Sequence, residues 1–176
     1  MTLDQAVALT EDTRIRFAAL VHDLGKARTP PSEWPSHRGH ETRSVALIEA
    51  LCARLKLPSD YRELAVIVAR YHGVVHRAFE LRSKTLLEFM ERADAFRRPE
   101  RFAQVLIACE ADARGRTGME NNPYPQRGYV GAARDAAAAI KPSADDIAAH
   151  SGPKIAERLH QRRVRAISKL AGAPLS

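Results

Sequence analysis

Residues 16–26 read RFAALVHDLGK. Phe17, Leu20, Val21 and Leu24 stand at i, i+3, i+4 and i+7, the spacing of one apolar helical face. The pattern predicts a helix over residues 13–24, closed by Gly25. At about 100° per residue, His22 and Asp23 fall on the opposite side of that helix. No charged residue occurs from Phe17 to Val21, and Ala18 and Ala19 fill the turn before the His–Asp pair. The expectation is an enclosed helix whose small residues admit a neighbour to the His–Asp face. A carboxylate there requires a partner, because an unpaired buried charge is costly. The alternative is a partly solvated helix end with Lys26 as counter-ion.

The rest of the chain reads the same way. Hydrophobic residues make up 45% of the 176 positions and aromatic residues only 6%, and alanine is abundant. That mix favours helix over sheet. Helices are expected over residues 2–9, 13–24, 40–57, from Ser59 to a weakening at Gly73, and then 84–96, 99–113, 129–140 and 153–170. Thr2 with Gln5 and Asp60 with Glu63 have capping-box spacing. Pro-rich residues 27–39 and the segment 114–128 are the long loops. The reading is an all-α helical bundle, a single domain over residues 1–176.

The net charge of +7 points to an acidic partner such as nucleic acid, although it serves solubility as well. Cys52 and Cys109 sit in apolar helical patterns without paired spacing, as expected of buried thiols in a reducing compartment. With no apolar run near the ~20 residues of a membrane span, and no leader-like opening, the expected location is the cytoplasm.

Five of the seven histidines fall into groups: His22, then His37 and His40 in SHRGH, then His72 and His76 in RYHGVVH. His72 and His76 share one side of their helix. In the helix after Pro99, the stripe Phe102, Val105, Leu106 and Cys109 is continued near its edge by Asp112, a second inward-leaning carboxylate. Imidazole and carboxylate together suit a divalent transition metal. Each of His37, His40, His72 and His76 taken alone reads equally well as a hydrogen-bonded structural histidine.

RFAALVHDLGK, HRGH, RYHGVVH and CEADARGRTG followed by YPQ, in that order, resemble the HD domain of the bacterial multifunctional CCA-adding proteins. In that family a tRNA nucleotidyltransferase is followed by a C-terminal metal-dependent phosphohydrolase domain. The resemblance spans roughly residues 3–170 and implies an HD-type fold. It implies metal ligation by His22, Asp23 and Asp112, with His40 and His72 as ligands to a second metal or contacts to phosphate. A further histidine is expected on a helix just before TLDQA, and the chain opens at Met1 without it. The expectation is therefore a shortened first helix, with that ligand cut away or the metal held by fewer groups. Where a member of the family has His–Asp, this chain has His72–Gly73, which removes a carboxylate. No nucleotidyltransferase signature is present, so that half would be a partner domain.

The chemistry expected of such a site is hydrolysis of a phosphoester. Water activated at the ion would attack phosphorus in line, with Arg114, Arg116 and Lys26 offsetting the developing charge. The resemblance implies 2′,3′-cyclic phosphates, 2′-nucleotides and phosphomonoesters as substrates, Ni2+, Mn2+, Co2+ or Mg2+ as cofactor, and a link to tRNA 3′ ends. Two other functions fit the same residues. One is a tRNA-binding module with a degenerate metal site, using the basic face of KIAERLHQRRVRAISK, residues 154–169. The other is an HD hydrolase of free nucleotides.

Overall fold

The computed structural model describes residues 1–170. Their regular structure is helical, as the composition predicts. In chain order the helices are α1 (Thr2–Leu9), α2 (Thr13–Val21), α3 (His40–Leu55), α4 (Ser59–His76), α5 (Ser83–Arg92), α6 (Pro99–Arg114), α7 (Pro125–Ala139), α8 (Ala144–Ala149) and α9 (Gly152–Leu170). Short 3-10 turns lie at Leu24–Arg28, Pro31–Glu33 and Ala78–Glu80. None of these helices is long and apolar enough to cross a membrane.

α4 runs through the middle of the bundle and packs on α2, α3, α6 and α7. Its buried side is Leu64, Ala65, Val68, Ala69, His72 and Val75. α6 lies against α1, α2 and α4 and buries Phe102, Val105, Leu106, Cys109 and Asp112. α5 and α9 close the far side, where Leu86, Leu87, Met90 and Ile167 are fully buried. Each such side chain withdrawn from water contributes about 1.5–3 kcal/mol, which offsets the entropy of ordering the chain.

Several local expectations are corrected. α2 ends at Val21, not Leu24, and a 3-10 turn follows. Its buried residues are Ile15, Ala18, Ala19 and Val21, while Leu20 is 58% exposed. The inward stripe is therefore Ile15, Ala18, Ala19 and His22, again at i, i+3, i+4 and i+7, so the histidine belongs to the core face itself. Alanines are buried here because α4 and α6 pass close by. Gly25 does not end α2 through a left-handed φ. A Cβ on it would stand 2.2 Å from the carbonyl oxygen of His40 and 2.6 Å from the nitrogen of Ser44, so glycine is what lets α3 approach. Its N–H donates to Ser44 Oγ at 2.8 Å.

Neither expected capping box forms. Thr2 lies inside α1 behind Met1, and α4 is preceded by Pro58 with no side-chain cap. The box that does form is Ser143 with Asp146 at the start of α8, an element absent from the sequence reading. α4 continues through Gly73 to His76, since one glycine costs a packed helix only about 1 kcal/mol. α3 stops at Leu55, where Lys56 takes a left-handed φ of 52°, and α5 stops at Arg92 ahead of Asp94 with φ 57°. α7 starts at Pro125, inside the expected loop.

Candidate metal centre

α2, α3, α4 and α6 deliver one polar cluster into the bundle. His22 caps the C-terminal end of α2, and Asp23 follows it. His40 opens α3, His72 and His76 lie in the last turns of α4, and Asp112 in the last turn of α6. His22, His72 and Asp112 are all less than 9% exposed.

Three of the histidines are held in the same way. His22 Nδ1 lies 2.8 Å from the carbonyl oxygen of Ala19, and His40 Nδ1 lies 3.0 Å from that of His37. His72 Nδ1 lies 3.2 and 3.1 Å from the carbonyls of Val68 and Ala69. A carbonyl only accepts, so each Nδ1 carries a proton and donates it. In the neutral ring each Nε2 is then left with a lone pair, and the three Nε2 atoms converge. His40 Nε2 and His72 Nε2 stand 3.4 Å apart, a contact of two acceptors that requires a cation or a shared proton between them.

The carboxylates complete the set. His22 Nε2 lies 3.2 Å from Asp23 Oδ2 and 3.3 Å from Asp112 Oδ1, yet it is aligned for a hydrogen bond to neither. Asp23 Oδ1 is 3.2 Å from His40 Nε2 and 3.7 Å from His72 Nε2, and is likewise buried without a hydrogen-bond partner. Ligand atoms of His22, Asp23 and His72 all fall within 4.8 Å of one another. Two orphaned buried atoms, an imidazole nitrogen and a carboxylate oxygen, beside two facing lone pairs, are what a divalent ion satisfies. The residues fit the metal.

The electrostatics agree. Burial works against a charged His22, but the Asp112 and Asp23 carboxylates outweigh it and push its pKa up to about 10. Burial likewise opposes ionisation of Asp23 and Asp112. His22 and Lys26 nevertheless hold Asp23 well below the usual carboxylate range, and His22 and His76 do the same for Asp112. His72 is pushed down, first by burial and then by the charge of His22. A cation beside Asp23 and Asp112 would take the place of a proton on His22 and leave its Nε2 lone pair free.

The other sequence candidates are distributed around this cluster. Lys26 Nζ reaches Asp23 Oδ2 at 2.6 Å, as a counter-ion. Arg114 pairs with Glu110 at 3.2 Å and donates to the carbonyl of Asn122, which ties down the long loop. Arg116 lines a cavity of about 290 Å³ together with His76, Arg114, Asn122 and Tyr124, beside the cluster. His37 stays outside, with φ 47° and its ring near Trp34. A Cβ on Gly73 would stand 4.0 Å from Glu41 Oε1, so an α3 carboxylate lies next to this glycine.

Two residues of the cluster were not singled out as site residues from the sequence. His76 Nε2 lies 2.7 Å from Asp112 Oδ2, and His76 Nδ1 lies 2.8 Å from the Tyr124 hydroxyl. The i, i+4 spacing of His72 and His76 was a signal for the first. Tyr124 stands in the YPQ stretch of the family resemblance, but nothing there links it to His76, 48 residues away. Burial raises the Tyr124 phenol above its usual range, so it stays protonated.

Comparison with known proteins gives the family. The family model described as "HD domain" matches residues 1–114. The "Multifunctional CCA protein" of Thioalkalivibrio sulfidiphilus is 56% identical over 172 residues, 97% of this chain and 42% of that protein. The protein of the same name from Nitrosococcus oceani is 54% identical over 167 residues, 95% of this chain and 41% of its own length. That of Pseudoalteromonas atlantica is 47% identical over 168 residues, 96% of this chain and 42% of its length. The chain thus spans about two-fifths of the curated relatives it matches. No solved structure matches it. With the HD model covering α1 to α6 and its namesake His22–Asp23 pair at the centre, the chain belongs to the HD domain family of metal-dependent hydrolases.

Proposed function

We infer that this chain is a divalent-metal phosphohydrolase acting on nucleotide phosphoesters, with 2′,3′-cyclic phosphates, 2′-nucleotides and phosphomonoesters as its substrates. The observation that carries the reading is the convergence of three backbone-anchored imidazoles on Asp23, whose Oδ1 is unpartnered, with His22 Nε2 itself unpartnered. His22, Asp23 and Asp112 would hold the ion, with His40 and His72 as further donors. The ion supplies Lewis acidity, which polarises a phosphoryl oxygen and lowers the pKa of a water.

The chain's own residues do the remainder. The fixed tautomers aim the Nε2 atoms before any ligand arrives, so little reorganisation is needed. Asp23 and Asp112, both held ionised, balance the positive charge. Arg116 stands in the adjoining cavity, where it can pair with a phosphate oxygen. Arg114, committed to Glu110 and Asn122, shapes that cavity and leaves the phosphate to Arg116. Lys26 restrains Asp23 from the open side.

Nickel or a similar transition ion suits the nitrogen-rich donor set better than magnesium. Its similarity to proteins named for CCA supports tRNA 3′ ends as the setting and a nucleotidyltransferase domain as partner. The reading as a tRNA-binding module without chemistry is weaker. Arg158 and Arg162 of α9 are spent on Asp146 at 2.6 and 2.9 Å, Lys154 on Glu157, and Arg163 covers the Phe96 ring.

The test is a panel of a 2′,3′-cyclic nucleotide, a 2′-nucleotide and p-nitrophenyl phosphate, assayed with Ni2+, Co2+, Mn2+ and Mg2+. Turnover that a chelator abolishes and a transition ion restores is expected. Metal uptake without turnover of any panel member would reject the substrate assignment, and turnover insensitive to chelator would reject the mechanism.

A further inference from the structure

His76 differs from the other three histidines. Its Nδ1 meets no backbone carbonyl, and both ring nitrogens have side-chain partners. Asp112 Oδ2, an acceptor, lies 2.7 Å from Nε2, so that nitrogen donates. In the neutral ring Nδ1 must then accept, and the Tyr124 hydroxyl donates to it over 2.8 Å. The tautomer is therefore the reverse of that in His22, His40 and His72. Asp112 Oδ2 is committed to this bond, and its other oxygen, Oδ1, is the one left facing His22 Nε2 at 3.3 Å.

Resting on the metal-centre reading above, the geometry points to Tyr124 as a positioning residue. Asp112 Oδ2 places the proton on His76 Nε2, and the Tyr124 hydroxyl, by donating to Nδ1, holds the ring at the angle at which Nε2–H occupies that oxygen and leaves Oδ1 toward His22 and the metal. The tyrosine sits just before α7 between Pro123 and Pro125. The loop around it is tied by Arg114 to the carbonyl of Asn122, and by Gln126, whose Nε2 donates to the carbonyl of His76 at 3.3 Å. Glu110, 7% exposed, holds both Arg114 and Arg127 and so braces the same loop from α6. Tyr124 also forms part of the wall of the 290 Å³ cavity, which makes it the link between that cavity and the ligand set. Partners that orient a metal ligand in this way are typically worth roughly 10- to 100-fold in metal affinity.

The experiment has two arms. Long-range proton–nitrogen correlation spectra of the metal-free chain report each histidine tautomer directly. His76 is expected to carry its proton on Nε2 in the wild type and in Tyr124→Phe alike, but in the variant that proton should exchange faster with water, because the ring is no longer held against Asp112, while His40 and His72 stay unchanged. An Nε2 proton that exchanges at the wild-type rate in Tyr124→Phe would overturn the assignment. The second arm titrates Ni2+ and Co2+ against a competing chelator. Tyr124→Phe is expected to bind at least roughly 10-fold more weakly, with a changed Co2+ absorption spectrum. The double variant with His76→Ala should bind no more weakly than His76→Ala alone, because the tyrosine acts through the histidine. Wild-type affinity in Tyr124→Phe, or losses that add, would contradict the proposal. If the wild-type chain takes up no metal, the metal-centre reading fails, and the first arm still decides the role of Tyr124.

Discussion

Asp112 and Asp146 are both buried aspartates, 8% and 5% exposed, and both are held below the usual carboxylate range. Their surroundings are unlike. Asp146 receives hydrogen bonds from the backbone and hydroxyl of Ser143, from Arg158 at 2.6 Å and from Arg162 at 2.9 Å. Every partner is a committed donor, and the arrangement ties α8 to α9. Asp112 faces two imidazoles, of which only His76 makes an aligned bond to it. Beside it the Nε2 of His22 is left without one. Burial and a depressed pKa therefore do not separate a proposed metal ligand from a structural carboxylate. Unfinished hydrogen bonding does.

The comparison breaks most easily by exchanging the damage. Asp112→Ala is expected to weaken binding of a transition ion by at least roughly 100-fold while the chain stays folded. Asp146→Ala should leave metal affinity unchanged and lower Tm by roughly 2–4 °C. Chelator competition and thermal unfolding on both variants check this. Equal loss of metal in the two would erase the distinction.

A second prediction concerns the backbone that carries Asp23. Gly25→Ala places a methyl group against backbone atoms of α3 that cannot yield cheaply. It should cost about 1–3 kcal/mol in denaturant unfolding. Because the strain falls between Asp23 and His40, metal affinity should drop with it. Gly128→Ala, inside α7 where a Cβ meets nothing, should leave metal affinity unchanged and stabilise the fold by about 0.5–1 kcal/mol.

A third carboxylate gives a smaller effect with a defined pH window. Asp12 caps α2, accepting from the Arg14 backbone, the Arg14 guanidinium and Gln104. The Arg14 hydrogen bond outweighs burial and lowers its pKa to about 2. Since the folded pKa lies below the unfolded value, the stabilisation is complete above about pH 4 and is lost as pH falls through about 2. Asp12→Ala should cost about 1–2 kcal/mol at neutral pH, and the two unfolding curves should converge in acid.

Much of this was legible in the sequence, because helices advertise themselves locally. The stripe Phe102, Val105, Leu106, Cys109, Asp112 is buried as its spacing implies. The His–Asp pair and the Asp112 carboxylate lie in one cluster. What the pattern concealed needed knowledge of neighbours. Leu20 faces outward and His22 inward because α4 and α6 select the alanine face of α2, a choice that hydrophobicity alone reverses. Gly25 looked like a helix stop, although it is a point of close approach. His37 and His40 are alike on paper, and only the turn before α3 sends one inward. Tyr124 reaches His76 across 48 residues, a distance that no local signal spans.

The most direct measurement is the divalent metal content of the purified chain, taken together with chelator-sensitive hydrolysis of a 2′,3′-cyclic nucleotide, with Asp23→Ala as control. The expected result is bound transition metal and turnover in the wild type, with both lost in a folded Asp23→Ala. A folded wild-type chain with neither metal nor turnover, or an Asp23→Ala chain that keeps both, would contradict the account.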